Sequence, residues 1–201
     1  MKKLMFALSS VLLIACSNSN NEQPDQIAES TTPFNETAYL QKGDSITSIA
    51  QGILMKNVAE AIAQKGVAGA VEFCNLKAIP LTDSISKTTL SSIHRFSDKN
   101  RNPTNAITTT LDKNAWTTLA SRLKDSTIKE KHFIVQEGKD VFYYKPIKIA
   151  MPTCLKCHGE PNKDIAPETL QTIVKKYPQD KATNYKEGDL RGMWRVKMNE
   201  L

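Results

Sequence analysis

Cys154-Leu155-Lys156-Cys157-His158 sets two thiols on either side of a two-residue spacer, with an imidazole directly after the second. Those residue types at that spacing are what covalent attachment of a c-type haem requires. The thiols add across the two vinyl groups of the porphyrin, and the spacer sets the distance between the sulfurs. The adjacent His then offers a neutral imidazole to the iron from one face. A bare C-x-x-C would also suit a redox dithiol or half of a zinc site. The His after it, and the lack of a second C-x-x-C in the chain, argue against both. The motif predicts one covalent haem c per chain, held by Cys154 and Cys157, with His158 as an iron ligand.

The chain has four cysteines. Cys16 ends an apolar segment, where Leu13-Ile14-Ala15-Cys16 reads as a lipobox, small residues before a Cys that becomes the lipidated first residue of the mature protein. With Cys154 and Cys157 assigned to haem, Cys74 is left over. A lone thiol in an oxidising compartment has three uses: a small buried hydrophobe, a bridge to another chain, or a ligand to iron. Spacing alone leaves all three open.

Attachment of this kind takes place outside the cytoplasm, and the N-terminus agrees. Met1-Lys2-Lys3 is a basic start, and Leu4 to Ala15 is an apolar run too short to span a bilayer. Residues 1–15 are expected to be a lipoprotein signal peptide. Residues 16–33, rich in Ser, Asn, Gln and acids, are expected to be a flexible tether. Residues 34–201 then form one domain, anchored by lipid at Cys16 to the periplasmic side of a bacterial membrane. The net charge of +6 falls to +4 once Lys2 and Lys3 leave with the signal peptide. The remaining basic residues are scattered among acids, which describes a solvated surface rather than a nucleic-acid site.

Several other residues could reach a haem. Arg95 and Arg101 suit its propionates, because guanidinium matches carboxylate geometry; surface ion pairs are their other use. His94 and His132 are possible iron ligands, but His more often only hydrogen-bonds within a fold. Met151, Met193 and Met198 compete for the same position, with Met193 and Met198 better suited to filling a core. Tyr143 and Tyr144 could cover a haem edge or simply pack in a sheet.

The elements that must position these groups are read from periodicity. Ile46, Ile49, Ile53, Leu54, Val58, Ala61 and Ile62 recur at helical spacing, with an N-cap at Gly43-Asp44-Ser45 and an end at Lys65-Gly66. A second helix from Val67 to about Lys77 puts Ala70, Val71, Cys74 and Ala78 on one inward stripe. Pro80 kinks or ends it. Ser91 to Ser97 reads as a strand, Asp98 to Asn105 as a loop, and Asp112 to Asp125 as a helix burying Ala115, Trp116, Leu119 and Leu123. His132 to Val135 and Val141 to Ile149 form a hairpin; Pro167 to about Lys176 is a helix; Gly192 to Met198 closes as a strand. Helices before antiparallel strands, with one crossing helix, predict an α+β fold.

Phe73-Cys74-Asn75, Ile93-His94-Arg95-Phe96-Ser97, Arg101-Asn102-Pro103-Thr104-Asn105, Tyr144-Lys145-Pro146-Ile147, Cys154 to Gly159, and Tyr185-Lys186-Glu187-Gly188-Asp189-Leu190-Arg191-Gly192 occur in this order. In order and spacing they resemble the PAS-like c-type haem family, over about Ile46 to Met198. The resemblance implies a PAS-like antiparallel sheet flanked by N-terminal and crossing helices, and iron held between His158 and Cys74. Members often continue the Arg-Asn-Pro block with Pro-Asp, where this chain has Ala106-Ile107-Thr108. It also implies a role in redox or small-ligand sensing, with a gas as a candidate ligand, or in one-electron transfer. The sequence carries no kinase, cyclase or coiled-coil module, so the partner is expected to be a separate, unidentified redox or signalling protein. A peroxidase-type enzyme is the alternative, and for it His94 with Arg95 is the available distal pair.

Overall fold

The computed structural model describes residues 34–198. The expected signal peptide and tether, with Cys16, lie outside the described residues. The chain divides into two units, Met1–Phe34 and Asn35–Leu201, and the second carries all of the described elements.

These are α1 (Glu36–Thr89), β1 (Ser92–Phe96), a 3₁₀ turn (Pro103–Asn105), α2 (Thr110–Lys124), β2 (Phe133–Glu137), β3 (Asp140–Lys148), α3 (Pro152–His158), α4 (Pro167–Lys176) and β4 (Leu190–Met198). The strands form one antiparallel sheet in the order β1-β4-β3-β2. The α+β, PAS-like architecture read from the sequence is the one observed.

α1 is two helical arms that meet at Gly66, whose backbone (φ 69°, ψ −179°) is open to glycine almost alone. The second arm returns alongside the first, because Tyr39, Ile46 and Ala50 of one share a core with Ile85 of the other. The sequence placed this break correctly and the start wrongly. Asn35, not Asp44 or Ser45, caps the helix, its side chain accepting from the Ala38 amide at 3.1 Å. Gly43 looks like a breaker, but its missing side chain lets the helix lie on the sheet: a Cβ there would run into the Tyr143 ring. Pro80 does not end the helix either. The carbonyl it deprives of a partner belongs to Leu76, on a solvent-facing turn.

The sheet separates two cores. On one face Ile93, Val141, Tyr143, Trp194, Val196 and Met198 pack against α1. On the other, Phe96, Phe142, Tyr144 and Met193 pack against Ala115 and Leu119 of α2. This is the two-residue alternation of strands meeting helices on both sides. Trp116 and Leu123, expected at the α2 face, are only partly buried, and the buried Asp112 takes a place there instead. Asp112 accepts from the Tyr144 hydroxyl at 2.9 Å and from Arg195 at 2.9 Å, so the buried charge is paired.

One irregularity bears on the site. Ile147 pairs with Gly192 and Lys148 with Leu190, so Arg191 is the extra residue of a bulge in β4. Its carbonyl accepts from the Ser97 hydroxyl at 2.9 Å.

Candidate functional site

A cavity of about 260 Å³ opens where the two arms of α1, the bulged ends of β3 and β4, the loop after β1 and α3 converge. Roughly 300–1,000 Å³ is usual for small-molecule pockets, so this one lies near the lower bound. Leu54, Met55, Val58 and Ile62 come from the first arm, and Val71 and Cys74 from the second. Cys154, Cys157 and His158 come from α3. The stripe carrying Cys74 faces inward as its spacing indicated, with Ala70, Val71 and Ala78 buried around it. Ile49 and Ile53, assigned to the first-arm stripe, lie instead on the exposed side, at 51% and 37%.

α3 is short. Pro152 opens it at the first helical position, where no amide is needed, and the Gly159 amide closes it on the Leu155 carbonyl at 2.8 Å. Cys154 packs beside Ile149, Ala182 and Tyr185, and Cys157 beside Val71, Ile165, Ile173 and Tyr177. Both are free thiols, as is Cys74. A redox dithiol needs a lowered thiol pKa; here burial pushes Cys157 up to about 11. Among the described residues no group of three or more His, Cys, Asp or Glu is placed to hold a metal ion.

His158 is locked. Its Nδ1 lies 2.9 Å from the Ala182 carbonyl, which can only accept, so Nδ1 carries the proton and the Nε2 lone pair is left for a metal. Arg191 Nε lies 3.3 Å from Nδ1 and 3.4 Å from Nε2. An atom so placed in the ring plane would collide with the carbon between the nitrogens, so the guanidinium lies over the ring face. The Tyr185 ring stands edge-on to His158, with 6.2 Å between centroids. Burial first, then the charges of Arg191 and Arg101, hold the imidazole well below its ordinary pKa and therefore neutral. Burial raises the Cys74 thiol, against the opposing pull of Arg95 and Arg101.

Arg101 lines the cavity but is also tied down. Nε and Nη2 grip both oxygens of Asp180 at 3.0 and 3.1 Å, and Nη2 reaches the Cys157 and Ala182 carbonyls at 2.7 and 3.1 Å. Arg95 lines the cavity with its guanidinium 5.6 Å from the Trp194 ring centroid. Arg191, which sequence reasoning did not single out, lines it too. Its signal was the Asp189-Leu190-Arg191-Gly192 block, one of those that carry the family resemblance. Asn100, Asn102 and Asn105 add amides, and no Asp or Glu lines the cavity. One side is therefore apolar and the other basic.

The remaining candidates lie elsewhere, Met151 excepted: it is 43% exposed at the cavity rim. His94 stacks on Phe96 at 4.5 Å and approaches the Thr104 carbonyl, and it is not a lining residue, so it does not join Arg95 at the cavity. His132 pairs with Glu130 at 3.5 Å. Met193 and Met198 are fully buried in the two sheet cores, and Tyr143 and Tyr144 likewise pack in the sheet. No helix among the described residues is long and apolar enough to cross a membrane.

The donor set suits a porphyrin: two thiols and a neutral imidazole on one short helix, a third thiol lining the same cavity, an apolar wall and a basic wall. A family model described as Tll0287-like matches residues 17–199. The crystal structure of the cyanobacterial heme-protein Tll0287 superposes with a TM-score of 0.60 at 22% identity, covering 83% of this chain and 98% of that one, a likeness that shows the fold. No curated protein matches.

Proposed function

The chain belongs to the Tll0287-like family, and from that membership and the cavity we propose that it is a monohaem c-type protein, tethered by lipid at Cys16 to the periplasmic side of a membrane. The observation that carries this reading is the convergence of Cys154, Cys157 and His158 on one cavity with Cys74. Cys154 and Cys157 would hold the porphyrin covalently; His158, through Nε2, and Cys74, as thiolate, would hold the iron.

When bound, the haem supplies one-electron chemistry at iron, with a thiolate ligand favouring the oxidised state. The chain's residues set the terms of that chemistry. Ala182 fixes the tautomer of His158, and Arg101 with Asp180 fixes the segment that carries Ala182. Arg95 and Arg101 lower the cost of a thiolate at Cys74.

The role is redox or small-ligand sensing, or one-electron transfer, with a separate protein as partner. Cys74 would hold the iron as thiolate, and a haem so held would supply one-electron chemistry or a site for a small gaseous ligand. Expression with a haem-attachment system tests the reading. One haem per chain should stay with the protein through acid-acetone extraction, with the corresponding mass increase. A freely extracted haem, or none, would reject it.

A further inference from the structure

The cavity holds more positive charge than the protein balances. Arg95, Arg101 and Arg191 all line it, and no carboxylate does. Arg101 has its counter-charge in Asp180, with side chains only 11% and 8% exposed. Among the described residues Arg95 and Arg191 have none. Arg95 has an aromatic contact with Trp194; Arg191 has the His158 and Tyr185 rings beside it, and Asp180, which acts on it electrostatically, is gripped by Arg101.

Neither placement is accidental in the fold. Arg95 sits on β1 opposite Trp194, on the α1 side of the sheet. Arg191 is the extra residue of the β4 bulge, a device that turns a side chain out of the regular alternation. Two unpaired guanidinium groups entering one cavity from neighbouring strands call for a bound group with two anionic ends.

We propose that Arg95 and Arg191 form a two-point anion subsite, each receiving one propionate carboxylate of the haem, while Arg101 is a clamp on Asp180 and not a propionate ligand. This rests on the proposed haem function and reassigns one of the two arginines that the sequence offered for the role. It also gives Arg191 two contacts, the face of His158 and a carboxylate, so the ring orientation and the porphyrin edge are set by one side chain.

The groups facing these arginines are few. Cys74 and Tyr177 face Arg95, and Tyr185, Asp180 and the other two arginines surround Arg191. Lys148, an exposed lysine that lines the same cavity, is the control.

The test uses the haem-loaded protein with ¹³C-labelled propionate carboxyls, observed by infrared difference spectroscopy from about pH 4 to 8. In the wild type both carboxyls should stay ionised through most of that range. Arg95→Gln should raise the midpoint of one carboxyl, and Arg191→Gln that of the other, each by about 1–3 pH units. Lys148→Gln should move neither. Arg95→Lys and Arg191→Lys, which keep the charge, should recover most of the shift, a result that packing alone would not give. Unmoved carboxyls in either Gln variant, or a shift with Lys148→Gln as large, would overturn the subsite. A wild-type chain that retains no labelled haem removes the haem reading itself, and the subsite with it; a loaded chain with unmoved carboxyls removes only the subsite.

Discussion

His158 Nδ1 and the carbonyl oxygen of Ala182 stand 2.9 Å apart, and the same oxygen is held by Arg101 at 3.1 Å. Arg101 in turn grips Asp180, whose Oδ1 accepts from the Ala182 amide at 2.9 Å. The Asn184 and Tyr185 amides bind the Gly159 and His158 carbonyls. The motif helix is thus fastened to a segment far along the chain, and the imidazole takes its orientation from that segment.

Asp180→Asn should therefore do two things. It leaves the Arg101 guanidinium buried without a charge partner, which costs on the order of 3 kcal/mol in urea unfolding. It also loosens the Ala182 carbonyl, so the ferric spectrum of the loaded protein should broaden or split as His158 loses its fixed orientation. Arg101→Lys should show the spectral change too, because an ammonium cannot span both Asp180 oxygens and two carbonyls. A spectrum unchanged in both variants would deny the segment its orienting role.

Gly66→Ala tests the fold of α1. At φ 69° and ψ −179° any side chain is strained, and the loss should be about 1–3 kcal/mol by chemical denaturation. Gly52→Ala supplies the opposite sign. A methyl there meets nothing within 4 Å, and an ordinary helical position gains about 0.5–1 kcal/mol from Gly to Ala. Equal stabilities for the two variants would contradict the broken helix.

What could be read from the sequence was local. The stripe at Ala70, Val71, Cys74 and Ala78 announced an inward thiol, and the runs His132 to Val135 and Val141 to Ile149 announced the hairpin built by β2 and β3. Gly43 and Pro80 mislead because their local meaning as breakers is overruled. One admits the Tyr143 ring, and the other lies on a turn open to solvent. Arg101 and Asp180 find each other across 79 positions, with no pattern along the chain to pair them. Arg191 enters the cavity only because the β3–β4 register slips beside it, a property of two strands together and invisible in either.

The Asp44 carboxyl is held below its ordinary value, first by the hydrogen bond from Lys145, partly opposed by burial. Since the folded value lies under the unfolded one, the stabilisation is complete at neutral pH and fades as pH falls below about 4. Both side chains are substantially exposed, at 46% and 30%, so solvent screening limits the effect to under about 1 kcal/mol. Lys145→Met should lower neutral stability by that amount and flatten the acid limb of a stability–pH curve by the same increment. An acid limb identical to the wild type would show that Asp44 gains nothing from Lys145.

Cys16→Ala should move the protein from the membrane fraction to the soluble periplasmic extract, because the lipid is the proposed anchor. Mass spectrometry of the mature N-terminus checks it directly: an acylated Cys16 is expected, and an unmodified start at another residue would reject the anchor.

Cys74→Ser separates the ligand from the core residue. The thiol lines the same cavity as His158, on the second arm of α1, with Ala70, Val71 and Ala78 buried beside it. As a packing residue only, its replacement by Ser would cost a little stability and change nothing at the iron. As the sulfur ligand, its thiolate stabilises ferric iron, and Arg95 and Arg101 favour the anion electrostatically. The variant should then keep its covalent haem, lose the low-spin thiolate spectrum, show a higher reduction potential and bind small ligands faster. The haem attachment is the internal control, since Cys154 and Cys157 are untouched. If the ferric spectrum and potential both stay at wild-type values in a fully loaded Cys74→Ser protein, the thiol is core, and Met151 at the cavity rim becomes the residue to test next.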